Sequence, residues 1–140
     1  MAGFEHKYPH LFSQITLGNT VFRNRIFASP TGWQNYEAGP IFPEAAAAYY
    51  GRKAQGGAAS VAVGELYVDA KRGLGGPMSA QLDDPGITGS LTRLTDAITR
   101  NGAVAVAELQ HAGMFAQESQ RRGNQIYGPV DMEVHGEIAH

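Results

Sequence analysis

The residues with the means to do chemistry sit at the ends of apolar runs. Ser29-Pro30-Thr31-Gly32 follows Ile26-Phe27-Ala28, Gly64 and Glu65 follow Val61-Ala62-Val63, and Glu108 and His111 close the run that starts at Ala103. In parallel α/β architectures ligands bind at the carboxyl ends of strands, so the small, rigid and hydroxylated residues 29–32 suit a cofactor rim. They also suit a plain strand end, because Pro-x-Gly is ordinary loop punctuation. Glu65 and Glu108 are carboxylates that, when ionised, only accept hydrogen bonds, and His111 has the type of a general base. A metal centre is not expected. The chain has no cysteine, which excludes thiolate and iron–sulfur ligation within it; His135 and His140 are five apart, unlike the i, i+4 pair of a zinc helix; and His6 and His10 have that spacing but are interrupted by Pro9.

These positions need buried strands to hold them, and the composition can supply them. A chain of 140 residues with 43% hydrophobic and 17% charged residues can bury one good core. Its net charge of −2, with Lys and Arg scattered, provides no basic stripe for nucleic acid. No apolar segment reads as a signal or a membrane span, so a cytoplasmic setting is the default expectation.

In chain order, two short β-prone runs flank Gly18-Asn19, a hairpin signal. A first main strand is expected over residues 25–28, ending at Ser29-Pro30. A loop over residues 33–43 then leads to a helix with Pro43 at its first position, Glu44 at its positive end and an alanine-rich body stopped by Gly56-Gly57. Residues 58–68 read as a second strand, buried on both faces. The polar, Gly-rich stretch 69–84 is a long loop, and Asp84-Pro85 is expected to cap a second helix whose face is Ile87, Leu91, Leu94 and Ile98. Asn101-Gly102 ends that helix, residues 103–109 form a third strand, and residues 114–140 show no clear period. Strands and helices at this spacing fit a slice of a (β/α)8 TIM barrel, which needs about eight such units over roughly 250 residues. A doubly wound sheet that binds dinucleotides would usually carry Gly-x-Gly-x-x-Gly after its first strand, and Ser29-Pro30-Thr31-Gly32 is not that motif.

Leu11-Phe12-Ser13, Ile15 to Asn19, Asn24-Arg25-Ile26, Ser29-Pro30, Leu94-Thr95-Asp96-Ala97 and His111-Ala112-Gly113 occur in the order and spacing of the first part of the old yellow enzyme family. The chain resembles that family over most of residues 11–129. The resemblance implies an α/β fold in which residues 1–140 are the N-terminal segment of a single FMN-binding TIM-barrel domain, with the hairpin closing the bottom and about the first three β/α units following. It also implies FMN across the top and NAD(P)H-dependent reduction of activated C=C bonds. The chain is similar as well to longer reductases of dienoyl thioesters, bile acids or steroids, in which iron–sulfur and FAD regions would lie downstream. The partners implied are a small activated alkene and the remainder of the barrel, with a homo-oligomer left open.

Carried over by the resemblance, Ser29, Pro30, Thr31 and Gly32 would lie against the isoalloxazine ring. Family members often have a hydroxyl or thiol at the position of Gly32, so either Thr31 takes over the tuning of the flavin or that tuning is missing. Gly64 would let the flavin edge pass, and Glu65 would lie beside it or pair with a basic loop residue. Glu108 stands where the family commonly has glutamine, and it is expected to accept from flavin N3–H or to turn away into a salt bridge. His111 is expected to pack and to bond its own loop, since the substrate-anchoring His/Asn pair and the proton-donating Tyr of the family lie beyond residue 140. No catalytic residue is therefore assigned within the chain. The competing reading is a small α/β ligand-binding module without redox activity.

Overall fold

The turn at Gly18-Asn19 forms as its residues require. In the computed structural model, which describes residues 7–31, 40–77, 80–134 and 136–139, a short helix α1 (Pro9–Phe12) leads into β1 (Ile15–Leu17) and β2 (Thr20–Phe22). The two strands pair antiparallel with Ile15 opposite Phe22, and Gly18 takes φ +58° in the two-residue turn.

Three longer strands follow: β3 (Phe27–Thr31), β4 (Ser60–Tyr67) and β6 (Val104–Gln110). They are parallel, with β4 in the middle, Ala28 opposite Val61 and Val61 opposite Ala105. Each new long strand adds on the far side of the one before, so the order never reverses. That winding is the one successive units of a β/α barrel follow. β3 starts two residues later than expected and runs through Thr31, which places Ser29 and Pro30 within the strand. A two-residue strand, β5 (Ala80–Gln81), pairs with Leu66 and Tyr67 inside the stretch expected to be loop.

Helices α2 (Glu44–Gln55) and α3 (Ile87–Thr99) cover one face of this sheet. Pro43 is the cap of α2 and not its first residue, and Pro85 lies before α3, whose cap is Gly86. The Asp84 carboxylate does shape that entry, accepting the Gly86 N–H at 2.7 Å. Ala46, Tyr50 and Ala54 of α2 and Ile87, Leu94 and Ile98 of α3 are buried against Val61, Val63 and Leu66 of β4. This is the face that the helical spacing predicts, and Leu91 packs at its margin. The two helices touch at Gly51, where an added Cβ would lie 3.2 Å from the Ala97 Cβ. By the register, Ser60 and Ala62 turn to the opposite face of the sheet with Val104 and Val106.

The lower ends of these elements are joined by the residues before β3. The Arg23 guanidinium donates through Nη1 to the Asn101 carbonyl at 2.8 Å, and through Nη2 to the Ala54 and Ala58 carbonyls at 2.7 Å each. These carbonyls belong to the C-terminal ends of the two helices and the chain just beyond them, where the helix dipole is negative. Buried Asn24 donates from Nδ2 to the Gly57 carbonyl at 2.8 Å and accepts the Ile26 N–H at 3.0 Å. The motif Asn24-Arg25-Ile26 thus owes its residues to anchoring, with Arg25 Nε on Ser13 Oγ at 3.2 Å.

Residues after β6 are more ordered than their sequence suggests. They form a 3-10 turn (Gly113–Phe115), α4 (Gln117–Arg121) and an antiparallel hairpin of β7 (Met132–Val134) and β8 (Glu137–Ala139). Ala116, Ile126, Val134 and Ala139 make a small second core. Elements of three to five residues are too short to show a period, which is why none was legible. The loop after β4 is tied to this unit, since Leu74 N–H donates to Ser119 Oγ at 2.9 Å and the Leu74 carbonyl accepts the Glu118 N–H at 3.1 Å. Among the described residues no helix is long and apolar enough to cross a membrane.

Two substitutions test this frame by denaturant unfolding of the protein. Arg23→Met leaves three carbonyls without their charged donor and is expected to cost about 3 kcal/mol. Leu94→Ala, at a fully buried position, is expected to cost about 2–5 kcal/mol through the cavity it leaves.

Candidate functional site

The carboxyl ends of the three long strands are irregular where their lower halves are not. Between Ala28 and Thr31, two residues of β3, Ser29 and Pro30, stand against one of β4, Ala62, so they lie in a bulge. Proline is tolerated there because a bulge leaves a residue outside the ladder and no N–H is needed. Between Val63 and Leu66, two residues of β4, Gly64 and Glu65, in turn stand against one of β6, Glu108. Bulges end regular pairing and re-aim side chains, and both occur at the same end of the sheet. Ser29, Pro30 and Thr31 are exposed there, with Thr31 Oγ1 donating to the Ser29 carbonyl at 3.2 Å. Gly32 lies outside the described residues.

Gly64 and Glu108 interlock. A Cβ built on Gly64 would run into the Glu108 carboxylate and would lie 3.1 Å from the Glu108 Cβ. The room at Gly64 is therefore taken by the side chain of the facing strand, and no other residue type fits without moving it. Glu108 is half-buried and has no hydrogen-bond or ion-pair partner among the described residues, so it makes no salt bridge there. Its lone pairs stay available to a donor from outside these elements. Glu65 is exposed and accepts the Tyr67 hydroxyl proton at 2.7 Å, in place of the basic loop residue weighed as its partner. The Gly64–Glu65 peptide is cis.

Tyr50, read in the sequence only as part of a helix, reaches the same place from the opposite side. Its hydroxyl lies 2.7 Å from the Thr31 carbonyl and 3.1 Å from the Gly64 carbonyl, the two carboxyl-terminal bulges of β3 and β4. A sequence signal existed in the i, i+4 series Ala46, Tyr50, Ala54, which puts one large polar-tipped ring between two small residues on the buried face.

His111 sits beyond β6, exposed, with Nδ1 accepting the Gly113 N–H at 3.0 Å. Its ring also covers Gly73, where an added Cβ would lie 2.7 Å from the His111 Cδ2. Packing and loop bonding account for it. His6, His135 and His140 fall outside the described residues, and no group of three or more metal-ligating side chains gathers among the described ones.

The arrangement is thus a rim of exposed small residues and a glycine overlaid by a carboxylate unpaired among the described residues. It could face a flat, largely apolar group that presents an N–H donor at one edge.

Comparison with known proteins bears on the family and the fold. The chain is 27% identical over 122 residues to an NADH oxidase of Thermoanaerobacter brockii, covering 87% of this chain and 19% of the relative. It is 33% identical over 109 residues to a metal reductase of Desulforamulus reducens, covering 78% of this chain and 16% of the relative. It therefore spans about a fifth or less of the length of these curated relatives. In fold it is similar to an old yellow enzyme homologue from Zymomonas mobilis, with a TM-score of 0.75 and 22% identity over 94% of this chain and 39% of that one. With a family model matching residues 10–139, nearly its whole length, the chain belongs to the NADH:flavin oxidoreductase / NADH oxidase family, as part of an old yellow enzyme-type barrel.

Proposed function

We propose that this chain forms the opening segment of the barrel of an FMN-dependent NAD(P)H oxidoreductase of the ene-reductase type, acting on activated C=C bonds of enones, enoyl or dienoyl thioesters or steroid-like compounds. The observation that carries the reading is the Glu108 carboxylate lying across Gly64 at the joined ends of three parallel strands, unpaired among the described residues. Those residues fit a flavin, since the described rim residues Ser29, Pro30 and Thr31 are small and the free acceptor suits an N–H of a pyrimidine edge. When bound, FMN would supply the chemistry by taking a hydride from NAD(P)H and passing it to the alkene.

This chain's own share is binding and orientation. Ser29, Pro30, Thr31 and Gly32 would form the rim along one side of the ring, and Gly64 and Glu65 the neighbouring strand end. Glu108 would accept from the ring N3–H. As an anion it disfavours further negative charge on the reduced ring, where a glutamine could donate instead. The substrate-anchoring and protonating groups would come from residues outside this chain, so the chain alone is expected not to turn over. Among the described residues β6 pairs only with β4, and Val106 and Leu109 on it are 43% and 64% exposed. The remainder of the barrel would cover that edge, and without it the chain is expected to be poorly soluble.

Purifying the full-length polypeptide tests the assignment, because a yellow protein that releases FMN on denaturation supports it. A colourless, cooperatively folding protein would point to a small ligand-binding module instead. In the FMN-loaded protein, Glu108→Gln is expected to raise the flavin midpoint potential by about 30 mV or more, roughly 1.4 kcal/mol for a two-electron couple. An unchanged potential in a redox titration removes the proposed role of Glu108.

A further inference from the structure

A fully buried aromatic ring needs no hydroxyl, and burying one without a partner is costly. Tyr50 is 0% exposed, yet its hydroxyl is directed at two backbone carbonyls that are 33 residues apart in the chain. Both carbonyls belong to residues at or beside bulges, where a ladder loses a rung and a backbone acceptor needs another donor. A phenol has one proton, so the closer Thr31 carbonyl at 2.7 Å takes the main share and the Gly64 carbonyl at 3.1 Å the lesser one. The ring itself is held edge-on by Phe42 at 6.3 Å and Tyr49 at 5.0 Å between centroids. Ala46 and Ala54, one turn away on either side, are also fully buried. Packing fixes the ring, and the ring aims the hydroxyl.

We propose that Tyr50 is a positioning residue of the cofactor site: from the helix side of the sheet, its hydroxyl holds the ends of β3 and β4 as one unit and so sets the Gly64 backbone against which Glu108 lies. This rests on the flavin reading above. The residue touches neither cofactor nor substrate. It acts through two strand ends, and a shift of the Gly64 backbone would change the space beside it, which the Glu108 carboxylate fills where a Cβ would otherwise lie.

The test is Tyr50→Phe in the full-length protein, which keeps the ring and removes only the hydroxyl. FMN dissociation is measured by fluorescence quenching, alongside the thermal midpoints of the apo and FMN-loaded forms. The expected result is an FMN Kd raised about tenfold and a narrowed gap between the two midpoints. Equal loss of midpoint in both forms with an unchanged Kd would mean that the hydroxyl serves packing alone, and would overturn the proposal. In the double variant Tyr50→Phe/Glu108→Gln the effects of the two substitutions on the FMN Kd should be non-multiplicative, since both act at Gly64; independent, multiplying effects would also overturn it. A wild-type protein that binds no FMN would remove the flavin reading itself, an outcome distinct from a wild type that binds FMN and a Tyr50→Phe variant that binds it equally well.

Discussion

One guanidinium holds the base of this fold together. Arg23 donates to the ends of α2 and α3 and to the chain entering β4, so a single planar group fixes the relative height of two helices and the strand between them. The choice of arginine follows from its geometry, because only a rigid fork of donors reaches three carbonyls at once. Asn24 beside it binds the turn after α2 and the entry of β3. Once the lower ends are pinned, the strands run upward in fixed register, and every feature at their carboxyl ends inherits that register.

The two ends of the sheet are built on different principles. At the bottom, backbone carbonyls are saturated by side chains and the pairing is regular. At the top, both strand pairs slip by one residue, a glycine is overlaid by a carboxylate, and exposed small residues line the rim. Regularity below supplies the stability that irregularity above forgoes. Tyr50 links the two regimes, since it lies in the hydrophobic core yet bonds the irregular ends.

A second layer caps the carboxyl end. The loop after β4 and the chain after β6 are stitched through Leu74 and Ser119, both fully buried, and through the Gly73 carbonyl, which accepts the Ala112 N–H at 2.9 Å. Asp69 shapes the start of that loop by accepting the Lys71 and Arg72 N–H groups at 3.0 Å each. The glycines at 73 and 75 are there because His111 and Tyr67 come too close for a Cβ. What reads along the chain as a flexible polar stretch is a packed structure whose partners lie some forty residues away.

Local order was legible in the sequence because its causes are local. Gly18-Asn19 demands a tight turn, the spacing of Ile87, Leu91, Leu94 and Ile98 demands one buried helical face, and both are observed; the apolar runs do form strands, but only β4 is buried, while β3 and β6 on either side of it carry exposed and half-buried residues. The family and the strand-end location of Ser29 to Thr31, Gly64 and Glu108 were also within reach, since motifs in order and the ends of apolar runs are properties of the chain itself. Tertiary structure alone decided which groups meet. Arg23 finds carbonyls 31, 35 and 78 residues away, the Tyr50 hydroxyl spans two strands, and the space at Gly64 belongs to the Glu108 side chain and not to open ground. Spacing along the chain fixes a residue's face within its own helix or strand, but which carbonyl or side chain stands opposite depends on register between elements, and register is set only when those elements pack.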